Sequence, residues 1–123
     1  MRQIKSICSI DVLYDKQNMI GIGIDVSENL FEILADLDLL LSNKVKSVTL
    51  VDTVNHISLN IRKGADNWTF QEETEIILSN ENLEIMRSML LDVFLGDGFS
   101  GYHYDIDLNS TAGELQVSIT FQK

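Results

Sequence analysis

Hydrophobic residues in this chain recur with period two almost throughout and switch to helical spacing in only two places, which confines the fold more than any other property of the sequence. A period-two run sends successive side chains to opposite faces of a strand, so each run must lay one face on a core. Ile4 to Tyr14 alternates in this way, with Ile4, Ser6, Cys8, Ile10, Val12 and Tyr14 on one side and Lys5, Ser9 and Asp11 on the other. After the polar turn Asp15 to Asn18, the row Ile20, Ile22, Ile24 and Val26 predicts a second strand and an antiparallel hairpin. Val48 with Leu50, and Ile57 with Leu59 and Ile61, predict a further pair turned at Asp52 to Asn55. Trp68 to Leu78 reads as one longer strand, polar in its middle. The chain closes with Tyr102 to Leu108 and a strand carrying Leu115, Val117, Ile119 and Phe121.

The two interruptions read as helices. Ser27 precedes Leu30, Ile33, Leu34, Leu37 and Leu41, a stripe running to about Asn43, with Glu28 and Glu32 near the positive end of the dipole. Ser79 or Asn80 precedes Leu83, Met86, Leu90, Val93 and Phe94, with Glu81 and Glu84 in the first turn and Gly96 as the stop. Hairpin-connected strands with two interspersed helices predict an α+β fold, an antiparallel sheet of six to seven strands packed with two helices. The 123 residues suit a single domain spanning 1–123.

Cys8 is the only cysteine, which rules out an intramolecular disulfide and points to a reducing, cytoplasmic location. The first ten residues alternate apolar with polar, a pattern expected of a strand and not of a signal peptide. The longest uncharged stretch, Thr53 to Ile61, has nine residues, far below the ~20 that a membrane-spanning helix needs.

The net charge of −10 argues against nucleic acid and anionic membranes as partners and for a basic one. Up to Ala65 eight acids face seven bases, whereas beyond it eleven acids face only Arg87 and Lys123. Glu73 and Glu75 are two apart, as are Asp105 and Asp107, so each pair shares a strand face. A solvated face that maintains solubility is the alternative reading of these charges.

Chemistry-bearing clusters are few. His103, Asp105 and Asp107 project from one strand face and could hold a metal or pair a general base with an acid. However, alternate positions spread over ~13 Å, too far for one small ion, so a polar sheet face or partner-contact row is preferred. His56 reads as a surface histidine, and Cys8, in an apolar row, as an inert buried thiol. No Gly-x-Ser-x-Gly elbow is present, and Gly21 and Gly23 lie too early for a dinucleotide loop, reading instead as strand positions where another group approaches closely. No cofactor and no catalytic residue is expected. The aromatics Trp68, Phe70, Phe99, Tyr102 and Tyr104 fall in the acidic half, where they serve either as partner anchors or as sheet packing.

The run Gly96-Asp-Gly-Phe-Ser-Gly-Tyr-His-Tyr-Asp-Ile-Asp107, between a helix and a closing strand, resembles bacterial immunity proteins of the polymorphic-toxin and contact-dependent growth inhibition type, over the general layout and about residues 83 to 121. The resemblance implies a non-enzymatic protein that binds one cognate toxin domain, often a nuclease, and blocks its active site or an adjacent surface. Partner-binding residues are then expected at Glu72, Glu73, Glu75, His103, Asp105 and Asp107, with Trp68, Tyr102 and Tyr104 as anchors. Two other classes stay open: a small metal-assisted hydrolase using His103 and Asp105, and an oligomeric binding or scaffold module.

Overall fold

The structure, a computed structural model, describes residues 2–70, 73–96, 102–111 and 113–121. Its elements run β1 (Arg2–Ile7), β2 (Ser9–Asp15), β3 (Asn18–Asp25), α1 (Leu30–Leu41), β4 (Val45–Asp52), β5 (Ile57–Lys63), β6 (Asn67–Phe70), β7 (Thr74–Leu78), α2 (Asn80–Phe94), β8 (Tyr102–Ser110) and β9 (Gly113–Phe121). The fold is α+β with two helices, as the periodicity predicts. The expected antiparallel sheet of six to seven strands is replaced by two mixed sheets, one of five strands in the order β1-β4-β5-β7-β6 and one of four in the order β2-β3-β9-β8. Three pairings are parallel, β1 with β4, β5 with β7 and β3 with β9. Each parallel pair joins strands separated by other elements, because parallel neighbours need a crossover connection that periodicity does not reveal.

Two predicted strands divide. Ile4 to Tyr14 is β1 in the first sheet and β2 in the second, and the chain changes sheet at Cys8. There the Cys8 N–H donates to the Val51 carbonyl at 3.0 Å, and the Ile10 N–H donates to Asp52 Oδ2 at 2.8 Å. Asp52 also closes the β4–β5 turn, accepting from the backbone N–H groups of Val54 and Asn55. These bonds to the carboxylate hold its pKa below the usual range, so a single buried side chain fixes both the turn and the corner between the sheets. The segment Trp68 to Leu78, for its part, is an antiparallel pair, β6 and β7, with Trp68 opposite Ile76. The first of these strands ends at Phe70 and the second begins at Thr74.

The helices follow their stripes. In α1 the buried face is Ile33, Leu34, Leu37 and Leu40, joined by Asp36, which accepts a hydrogen bond from the Ser6 hydroxyl of β1. Burial raises the Asp36 pKa, and the Ser6 bond opposes that shift only in part. Asn29, not Ser27, stands at the N-cap, and its side chain donates to the Ile7 carbonyl instead of capping the helix. Ser79 caps α2 by accepting from the Asn82 N–H at 3.2 Å, and Gly96 takes the left-handed backbone (φ 87°) just past the end, where a residue with a Cβ is strained. Phe31 near the start of α1 meets Phe94 at the end of α2, with ring centroids 5.6 Å apart, so the helices are antiparallel. No helix among the described residues is long and apolar enough to cross a membrane.

One core joins all layers. Leu59 and Ile76 from the five-stranded sheet, Ile10 and Ile119 from the four-stranded sheet, and Leu40 and Leu90 from the helices are all buried in it. Full burial of each such side chain stabilises by about 1.5–3 kcal/mol. The core takes one face of each sheet, and on the four-stranded sheet the described residues of the opposite face are exposed or half-buried.

Candidate functional site

The open face of the four-stranded sheet is assembled by register. Asp11 of β2 lies opposite Gly23 of β3, Gly23 opposite Ser118 of β9, and Ser118 opposite Asp105 of β8, a row crossing the whole sheet. The next row holds Leu13, Gly21, Gln116 and Asp107, and the row on the other side holds Asp25, Thr120 and His103. Glu114, opposite Asn109, extends the face at one end. Alternation explains this separation: Ile106, Leu108, Leu115, Val117 and Ile119 take the core side of the same strands. None of the four strands contains a lysine or arginine.

The carboxylates are held by local hydrogen bonds. Ser118 Oγ donates to Asp105 Oδ1 at 2.6 Å, Ser27 donates from both backbone and side chain to Asp25, and Gln116 Nε2 reaches Asp107 Oδ1 at 3.5 Å. His103 Nε2 lies 3.8 Å from Asp105 Oδ2 with both side chains exposed. Between the acids runs a shallow concavity of ≈ 210 Å³ floored by Gly21 and Gly23. A Cβ built on Gly21 would stand 3.5 Å from Leu13 Cβ, and one on Gly23 would stand 3.9 Å from Asp11 Cβ, both ordinary contacts. Among the described residues, therefore, nothing approaches these glycines more closely than ordinary contact.

The sequence-predicted site residues do not form one surface. His103, Asp105 and Asp107 stand on this face. Glu73 and Glu75 belong to the other sheet: Glu75 accepts from Arg62 Nε at 3.2 Å and reaches Asn60 Nδ2 at 3.5 Å, while Glu73 reaches Ser58 Oγ at 3.4 Å. Glu75 is thus paired with a cation inside its own sheet. Trp68 is a correction of another kind. It is 3% exposed, and its Nε1 donates to the Gly113 carbonyl at 3.0 Å, so it fastens β6 to the β8–β9 hairpin from within the core. Tyr104 is half-buried, its hydroxyl donating to Asn82 Oδ1 at 3.1 Å near the start of α2. Burial, together with the charges of Glu81 and Asp66, raises its pKa. Glu72 and the Tyr102 side chain lie outside the described residues.

Asp11, Asp25 and Glu114 were not among the expected contact residues. Asp11 was legible in the polar row of the first predicted strand, but nothing in the sequence pairs that strand's sheet with β8 and β9. The division into a neutral and an acidic half does not map onto surfaces, because the face takes β2 and β3 from one half and β8 and β9 from the other. For the alternative chemistries, no group of three His, Cys, Asp or Glu side chains suited to a metal comes together among the described residues. Burial, with the nearby Asp52 and Asp25, pushes the Cys8 thiol up to about 12, which leaves no thiolate for nucleophilic attack at neutral pH. No protein-family model and no curated protein matches the chain.

Proposed function

We propose that this is a non-enzymatic immunity protein that acts in the cytoplasm by binding a cognate bacterial toxin domain with a basic surface, the open face of the four-stranded sheet being its contact. The observation that carries the reading is a sheet face bearing Asp11, Asp25, Asp105, Asp107 and Glu114 to which none of its four strands contributes a lysine or arginine. Such a one-signed field speeds association with a cationic groove, and its effect falls as salt screens it. The concavity floored by Gly21 and Gly23 admits close approach by a partner's backbone or side chains.

The test is to sequence the neighbouring genes, co-express the chain with any toxin domain found there, score growth, and then measure binding kinetics of the purified pair. Rescue is expected, and Asp11→Lys, Asp105→Lys and Asp107→Lys together should slow association roughly 10- to 1,000-fold at low salt and flatten its salt dependence. Unrescued growth would reject the function. Unchanged kinetics and salt dependence in the triple variant would reject this face as the contact.

A further inference from the structure

Both sheets extend their core-facing rows beyond the core at one end. Along β2 the inward row passes from Ile10, 1% exposed, through half-buried Val12 to Tyr14, 57% exposed. Along β6 it passes from Trp68 to Phe70, also 57% exposed. The cleft at this end is lined from both sheets, and among the described residues no side chain of either helix lines it. It measures ≈ 600 Å³ and is lined by Asp11, Val12, Tyr14, His56, Phe70 and Glu73, within the ~300–1,000 Å³ typical of ligand sites. Tyr14, Phe70 and the half-buried Met19 also line an adjoining hollow of ≈ 240 Å³.

The chemistry of the lining selects an occupant. Two exposed aromatic rings offer π faces, Met19 and Val12 offer apolar contact to an aliphatic stem, and Glu73 supplies a carboxylate, while among the described residues no lysine or arginine lines the cleft. A lysine supplies a stem and a charge that can sit over a ring, but it has no planar fork to stack on an aromatic face while meeting a carboxylate at two points. A planar guanidinium satisfies all of these at once, stacking on an aromatic face while its fork meets a carboxylate. We infer that this cleft receives an arginine side chain of a partner polypeptide. The inference rests on the proposed function only for the identity of that partner, since the recognition chemistry is local to Tyr14, Phe70 and Glu73.

The experiment titrates the full chain, labelled with ¹⁵N, with a blocked pentapeptide containing two arginines, and repeats it with lysine and alanine in their place. The arginine peptide should shift amides of Val12 to Met19, His56 to Ser58, Phe70 and Thr74. Tyr14→Ala with Phe70→Ala, and separately Glu73→Gln, should each weaken it at least fivefold, whereas Asp105→Asn with Asp107→Asn should change it less than twofold. The substituted aromatics are exposed, and an unchanged spectrum away from the cleft shows that the variants remain folded. Shifts confined to the open face of the four-stranded sheet, equal binding of the lysine or alanine peptide, or no shift at millimolar peptide would each overturn the inference. Cleft binding by a chain that fails to rescue growth would leave the inference standing and reject only the proposed function.

Discussion

Trp68 separates two accounts of this protein, so its replacement by Phe has a definite expected consequence. In the structure the indole is buried and its Nε1 donates to the Gly113 carbonyl at 3.0 Å, linking the edge of one sheet to the terminal hairpin of the other. Trp68→Phe deletes that bond and leaves a void of roughly 40 Å³. At ~24 cal/mol per Å³ of residual cavity the void costs about 1 kcal/mol, and the lost hydrogen bond about 1 kcal/mol more. A destabilisation of ~2 kcal/mol, divided by a urea m-value of about 1.5 kcal/mol per M, lowers the midpoint by roughly 1.3 M. Circular dichroism is the right probe, because the substitution removes the only tryptophan and with it the fluorescence signal. A midpoint within about 0.3 M of wild type would refute the placement of Trp68 in the core. Unchanged stability with lost partner affinity is the signature of a surface anchor.

Two further perturbations follow from the buried carboxylates and the glycines. Asp36, whose pKa is raised in the folded state, opposes folding above its folded pKa, whereas Asp52, whose pKa is lowered, favours folding above its unfolded value of ~3.9. At pH 7, Asp36→Asn should therefore raise the urea midpoint and Asp52→Asn should lower it. Both differences should shrink on acidification: that for Asp36 as pH falls through its raised folded value toward ~4, and that for Asp52 as pH falls from ~4 through its depressed one. Differences that stay constant from pH 7 to pH 3 would contradict these assignments. Gly64→Ala places a Cβ 2.7 Å from Cγ2 of buried Ile77, a branched side chain with little freedom to move, and should cost about 1–3 kcal/mol in denaturation. Gly23→Ala meets nothing closer than 3.9 Å and should leave the midpoint within about 0.5 M.

Much of the local structure was legible from spacing alone. The β2–β3 and β4–β5 hairpins, the stripes of both helices, the Ser79 cap and the stop at Gly96 each depend on residues close in sequence, where period and capping chemistry act directly. The exposed row His103, Asp105 and Asp107 was legible for the same reason. What was not legible depends on distant pairing. Nothing in the alternation of Ile4 to Tyr14 marks Cys8 as the point where the chain changes sheets, because the row Ser6, Cys8 and Ile10 is buried on both sides of the switch. Likewise, the polar middle of Trp68 to Leu78 fits a half-solvated strand as well as a turn.

By itself the sequence determined that the chain builds an α+β fold with two amphipathic helices, that its sole cysteine is buried, and that His103, Asp105 and Asp107 face solvent together. Only the tertiary structure decided which acids become neighbours. It set Asp11 and Asp25 beside Asp105 and Asp107, placed Glu73 and Glu75 on another sheet, drew Trp68 inward, and uncovered Tyr14 and Phe70 at the open end between the sheets. The physical reason is that period two specifies which side of a strand a residue occupies, whereas the partner strand is chosen by a core that every element must share.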